Sequence, residues 1–208
     1  MSVKNPKEFW SNVSKHDDWK NYILPRKDDK DFDNEGMLEA ERLFYFFDSG
    51  STVLEYGCGI GRVVRYVAQR AKNVIGLDIN PDFIKKAKKY VGMENTSFYA
   101  SDEYNEKEVA DLVYSLMVFQ HNDSINRTKM IKHIHSLLKK EGIAIVQFPR
   151  VESDYYQETD FVHKFTKQEV EDYGKIFNRF RVVEGCLINY ATEFNREIDH
   201  EYFLIAEK

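Results

Sequence analysis

After a polar start, the chain settles into short apolar runs that alternate with longer stretches of mixed polarity. The runs TVLEYG (52–57), NVIGLDI (73–79), TSFYAS (96–101), ADLVYSLMVF (110–119) and GIAIVQF (142–148) are rich in β-branched and aromatic residues and predict five strands. Between them the pattern predicts helices from about Gly61 to Ala71, from Pro81 to about Tyr90 and from about Ser124 to Lys140, with a weak helix after Ser101. Pro81 after Asn80 is a start signal, because proline suits the first helical turn. Gly142 after KKE is a stop. Ahead of the first strand, Glu39 to Phe47 predicts a helix with Leu43, Phe44 and Phe47 on its apolar face. Residues 1–35 are polar with scattered aromatics (Phe9, Trp10, Trp19, Tyr22) and read as a short helix and loops.

Strand–helix alternation with apolar strands implies parallel strands covered on both faces. The last third differs. Thr166 to Asn178 predicts a helix, and FRVVEGCLI (180–188) and HEYFLIAEK (200–208) follow with no helix between them, so two strands can lie antiparallel. The expected fold is α/β and Rossmann-like, with a seven-stranded, mostly parallel sheet, one antiparallel strand near the C-terminus and helices on both faces. We expect one domain over 1–208. Residues 1–35 form its N-terminal cap, and 36–208 form the core, with a substrate-loop insertion at about 149–165.

VLEYGCGIGR (53–62) lies where the first strand meets the first helix, at the carboxyl end of the sheet, where open α/β folds bind ligands. Glycine there permits positive φ and close approach, and the following helix N-terminus offers N–H groups to an anion. A dinucleotide loop, G-x-G-x-x-G, requires glycine at position 62, which is Arg62; the third glycine comes one residue early, at Gly61. No Lys-Ser/Thr follows, so a P-loop fails as well. Arg62 itself reads either as a cover for the loop or as a solvated first-turn arginine.

At this point the sequence resembles the class I S-adenosylmethionine-dependent methyltransferases. LEYGCGIGR is similar to that family's first motif and GLDINPDFIKKAKK (76–89) to its second. SFYASDE (97–103) places Asp102 at the usual third acidic position, and ADLVYSLMVFQH (110–121) and LLKKEGIAIV (137–146) are similar to the segments around strands four and five. The resemblance implies S-adenosylmethionine as cofactor and S-adenosylhomocysteine as product. Backbone groups around Gly57, Gly59 and Gly61 then meet the amino acid end of the cofactor, with Glu55 holding the loop or favouring the ammonium and sulfonium. Asp78 accepts from the ribose diol, Asp102 from the adenine amine, and Ile79 and Met117 sandwich the adenine and the cofactor chain. Read without the resemblance, Asp78 is as readily a helix cap.

Methyl transfer is an in-line displacement that depends on holding the acceptor close and aligned. His121, after strand four, is the candidate base, since its ordinary pKa is near neutral; it reads alternatively as a cap or a packed histidine. Gln120, Asn122 and Asp123 have weaker claims. Acceptor contacts are expected from Trp19, Tyr22 and Arg26, from Tyr155 in the loop Pro149–His163, and from residues 189–197. The stretch SLMVFQH lacks the Asn/Asp-Pro-Pro-aromatic signature of the family's nucleobase amine methylases. The formal net charge of −5 also disfavours nucleic acid. A small-molecule acceptor, methylated at oxygen or nitrogen, is the leading expectation. The alternatives are a protein or peptide acceptor, or a non-catalytic cofactor-binding module.

No apolar run approaches the roughly 18 residues of a membrane span, the start has no signal-peptide core, and Cys58 and Cys186 form no disulfide framework. These readings imply a cytoplasmic protein without membrane partners. DKDFDNEG (29–36) resembles a calcium loop but has Arg42 where the twelfth-position glutamate belongs, so it reads as an exposed acidic loop, and no metal is expected.

Overall fold

A computed structural model of the protein describes residues 5–23, 29–152, 162–185 and 200–208. The chain divides into two units, one spanning Asn5–Glu106 and the other Lys107–Lys208.

The first unit opens with helices α1 (Pro6–Val13), α2 (Trp19–Ile23) and α3 (Asp29–Leu43). It continues with strand β1 (Thr52–Tyr56), the short helix α4 (Val64–Val67), β2 (Asn73–Asp78), α5 (Pro81–Val91) and β3 (Thr96–Ala100). β1, β2 and β3 are parallel, with Glu55 opposite Gly76 and Asp78 opposite Ala100. α5 starts as expected. Asn80 accepts the Asp82 N–H at 2.9 Å and Pro81 fills the first turn. The same device starts α1, where Asn5 accepts the Glu8 N–H at 3.2 Å ahead of Pro6. Val13, Phe32, Ile60 and Phe83 form a buried cluster with Phe9, Trp10, Trp19, Ile23 and Tyr90 packed against it.

Three expectations are corrected here. The helix before β1 begins at Asp29, not Glu39, and ends at Leu43, so DKDFDNEG is helical rather than a loop. The helix after the glycine loop spans only Val64–Val67, because residues 60–63 are wound as turns. No helix lies between Ala100 and Ala110.

The second unit holds β4 (Ala110–Ser115), a 3-10 turn at Phe119–His121, α6 (Ser124–Leu137), β5 (Leu138–Pro149), α7 (Lys167–Gly174), β6 (Arg179–Glu184) and β7 (Glu201–Glu207). β4 is parallel to β5, and β7 is antiparallel to both β5 and β6, so β7 is the reversed strand. Asp123 caps α6 by accepting the Asn126 N–H at 2.7 Å. Thr166 and Glu169 form a reciprocal capping box on α7. Phe148 is the centre of an aromatic cluster, with ring centroids 5.1 Å from Phe119, 4.9 Å from Phe165 and 5.8 Å from Tyr173. Strand four stops at Ser115, four residues short of expectation. α6 gives way to β5 at Leu138, where a helix to Lys140 is predicted.

The strands form one seven-stranded sheet in the order β3-β2-β1-β4-β5-β7-β6. Among the described residues, no helix is long and apolar enough to cross a membrane.

Candidate functional site

At the end of β1 the chain turns back on β2. Gly57 and Cys58 both donate their N–H groups to the Leu77 carbonyl, at 2.7 and 2.9 Å. Gly57, Gly59 and Gly61 all have positive φ, at 85°, 53° and 81°. Two of these glycines serve different ends. A Cβ on Gly59 meets only Ile23 Cδ1, at 3.8 Å, so this glycine leaves room beside the backbone. A Cβ on Gly61 lies 2.6 Å from Val91 Cγ2 and 3.4 Å from Phe98, so Gly61 lets the loop pack against α5 and β3. The Gly61 N–H is already taken by the Cys58 carbonyl at 2.8 Å. With only four residues in α4, the loop's own amides rather than a helix N-terminus define this corner.

Asp78 closes the loop from the β2 side. Its Oδ2 accepts the Gly59 N–H and its Oδ1 the Asn80 N–H, each at 2.8 Å. Burial pushes its carboxyl up to about 6, against the opposing pull of the Asn80 and Gly59 amides. Each oxygen, with one amide bonded, keeps a lone pair for a further donor. Ile79 follows, half-buried, and Asn80 is fully buried. Glu55 is buried on β1. Burial, then the charges of Asp78 and Glu55, hold the Cys58 thiol well above its usual range. Tyr56 is pushed up to about 12 by burial first, then by Asp102 and Asp78.

Asp102 follows β3 and is half exposed, with Lys7 Nζ 2.6 Å from its Oδ2. This contact belongs to a set that ties α1 down. Asn80 Nδ2 donates to the Trp10 carbonyl at 2.7 Å, and Lys86 Nζ to that of Ser14 at 2.8 Å. The expected cap segment is therefore anchored next to both acids. Lys7, and the tie from Asn80 to Trp10, escaped the sequence reading, since the partners lie 95 and 70 residues apart and nothing periodic connects them. Arg62 is buried and pairs with Glu39 at 2.6 Å, with its guanidinium 5.5 Å from the Phe32 ring centroid. The solvated reading of Arg62 is thereby overturned.

In the second unit, Met117 has φ 58° and is half-buried, and its N–H is held by Gln147 Oε1 at 2.9 Å. His121 ends the 3-10 turn, half-buried, with its N–H on the Val118 carbonyl at 3.2 Å. The neighbouring Gln120 is buried, and its carbonyl accepts the His163 N–H at 2.9 Å. Gln147 was also missed; a lone polar residue in the apolar run GIAIVQF was the available signal.

Of the acceptor candidates, Trp19 packs with Phe32 and Phe83, at centroid separations of 6.2 and 5.8 Å, and Lys86 lies over its ring. It is engaged in the aromatic cluster of the cap. Tyr22 is exposed and stacks on His16 at 5.8 Å. Arg26, Tyr155 and residues 189–197 lie outside the described residues.

This strand order, with a glycine loop at the carboxyl end of β1, defines a Rossmann-like fold. Residues 33–193 match the family described as "Methyltransferase domain", and the chain belongs to that family. It is 29% identical over 184 residues to phosphoethanolamine N-methyltransferase 1 of Triticum aestivum, covering 84% of this chain and 36% of that protein. The first curated relatives are longer, and the chain spans 36%, 55% and 31% of their lengths. Among solved structures, Haemonchus contortus phosphoethanolamine N-methyltransferase 1, in complex with phosphoethanolamine and S-adenosylhomocysteine, shares the fold with a TM-score of 0.74. The two are 16% identical, over 100% of this chain and 50% of that one. The N-methyltransferase NodS of Bradyrhizobium japonicum, in complex with S-adenosylhomocysteine, gives 0.69 at 19% identity, with 98% of each chain covered.

Proposed function

We propose that the chain is an S-adenosylmethionine-dependent methyltransferase acting on the nitrogen or oxygen of a small-molecule acceptor. The observation that carries the cofactor assignment is the Asp78–Gly59 closure. A loop with three positive-φ residues is pinned by a carboxylate whose two oxygens each keep a lone pair free. Family membership and the N-methyltransferases among the relatives support the acceptor class. When bound, the cofactor supplies a methyl group on a sulfonium sulfur, which an acceptor lone pair displaces in line.

The chain's own residues then have definite tasks. Asp78 accepts from the ribose hydroxyls, and Asp102, held by Lys7, accepts from the adenine amine. The carbonyls at Gly57 and Gly59 meet the ammonium of the amino acid end, since their N–H groups are held by Leu77 and Asp78, with Glu55 behind them, while Gly61 serves by packing. Ile79 and Met117 flank the adenine. His121 takes the proton of a hydroxyl acceptor, or orients a neutral amine. Tyr22, Arg26 and Tyr155 contribute to the acceptor pocket, over which residues 1–35 act as a cap. The buried thiol of Cys58 suits a reducing cytoplasm.

The test is transfer of radiolabelled methyl from S-adenosylmethionine to phosphoethanolamine, to pooled small amines and phenols, and to cell protein, as separate arms. Label in a small-molecule arm is the expected result. Label only in protein would replace this reading with peptide methylation, and S-adenosylhomocysteine binding without transfer in any arm would favour a binding module.

A further inference from the structure

β4 and β5 run side by side only as far as the pair Ser115–Val146. β5 then continues to Pro149 on the β7 side, with Gln147 opposite Phe203. β4 peels away at this point, and its backbone loses its ladder partner. Gln147 sits one residue past the last pair. It is the polar residue in the otherwise apolar run Ile143–Phe148, and it is buried. Its Oε1 accepts the Met117 N–H at 2.9 Å. Met117 has φ 58°, a left-handed conformation uncommon for a residue with a side chain. The turn that follows is closed by the Val118 carbonyl, which receives the His121 N–H and the Asn122 side-chain amide.

We propose that Gln147 is a positioning residue. Its side-chain oxygen replaces the lost ladder partner, fixes Met117 in the left-handed conformation and so sets the turn that ends at His121. A buried glutamine with no such task is readily replaced by leucine of similar volume. Here that replacement leaves the Met117 N–H without its partner and removes the restraint on a residue in an uncommon conformation. The inference rests on the cofactor reading above insofar as Met117 flanks the adenine.

The test compares the parent and Gln147→Leu by amide hydrogen exchange without ligand and by calorimetry with S-adenosylhomocysteine. The expected result is at least a tenfold loss of protection confined to Met117–His121. Val113 and Tyr114 stay protected, and the Kd for S-adenosylhomocysteine rises about fivefold or more. Unchanged protection at Met117, or a uniform loss along β4 and β5, overturns the tether. A local loss with unchanged affinity overturns the positioning role. If the parent does not bind S-adenosylhomocysteine, the cofactor reading fails and the exchange pattern alone decides the tether. Should Gln147→Leu fail to fold, Gln147→Asn, which withdraws the oxygen by one methylene, is held to the same criteria.

Discussion

Between Gly57 and Asp78 the chain shapes its turn chiefly with backbone, whereas between Ser115 and His121 it uses a side chain from a neighbouring strand. In the first region, positive-φ glycines shape the loop and one carboxylate closes it by accepting the Gly59 N–H. In the second, a residue with a side chain occupies the unusual conformation and Gln147 holds it there. Glycine leaves the backbone open to a ligand. Methionine at the same kind of φ adds an apolar surface, at the cost of a restraint supplied from elsewhere. The first region suits recognition of fixed polar groups, and the second suits presentation of side chains. Substitutions in the first should therefore act on cofactor affinity and stability, and substitution of His121 at the end of the second on turnover.

The largest expected effect is in the second region. With an acceptor identified by methyl transfer, His121→Ala should lower turnover on the order of 100-fold, while the affinity for S-adenosylhomocysteine shifts less than about threefold. Equal losses in both would remove the distinction between the regions. Within the glycine loop, Gly61→Ala forces a Cβ to 2.6 Å from Val91 Cγ2 at φ 81°. Overpacking costs about 1–3 kcal/mol and the left-handed backbone roughly another 1–2 kcal/mol. The melting temperature should fall by about 4–20 °C. Gly59→Ala, with only Ile23 at 3.8 Å, should cost just the backbone part. Comparable melting losses in the two variants would contradict the division between open and packed glycines.

A smaller effect concerns pH. The Asp78 carboxyl titrates at about 6, above its ordinary value of 3.8, chiefly through burial. The folded chain without ligand holds this proton more tightly than the unfolded chain. Its contribution to stability is thus present below pH 3.8 and lost as pH rises towards 6. On the proposed reading the cofactor is held by the carboxylate form, so affinity for S-adenosylhomocysteine should rise as pH passes through about 6 and then level off. Asp78→Asn should flatten that step, and a step that survives in the variant assigns the titration elsewhere. The smallest effect is expected for Lys7→Met. The Lys7–Asp102 pair is exposed, so stability should stay within measurement error and affinity should shift less than about threefold.

The succession of the seven strands along the chain was legible because strand runs and helical stretches differ in period, and the antiparallel strand near the end because no helix separates the last two runs; their order in the sheet was not. Local winding was less legible. An apolar run such as LMVF reads the same in a strand or in a buried turn, and Phe119 is fully buried in a 3-10 turn. The helix after the glycine loop was overestimated because positive φ at Gly59 and Gly61 spends residues 60–63 on turns. The place of Asp78 at the end of an apolar strand behind a glycine loop was legible, whereas its proposed ribose role came only with the family resemblance. Lys7, Asn80 and Gln147 act across long sequence separations, where one sequence has no periodic signal to offer. Trp19 looked like a pocket aromatic, but its ring serves the cap's own packing.

The most direct measurement is calorimetric titration of the parent chain and Asp78→Ala with S-adenosylhomocysteine at pH 7.5. Hydrogen bonds to a charged acceptor contribute about 1.5–3 kcal/mol each. The parent should therefore bind, and the variant, still folded, should bind at least about 30-fold more weakly. Equal affinity in the two proteins, or no binding by the parent, would contradict the assignment of this loop to the methyl donor.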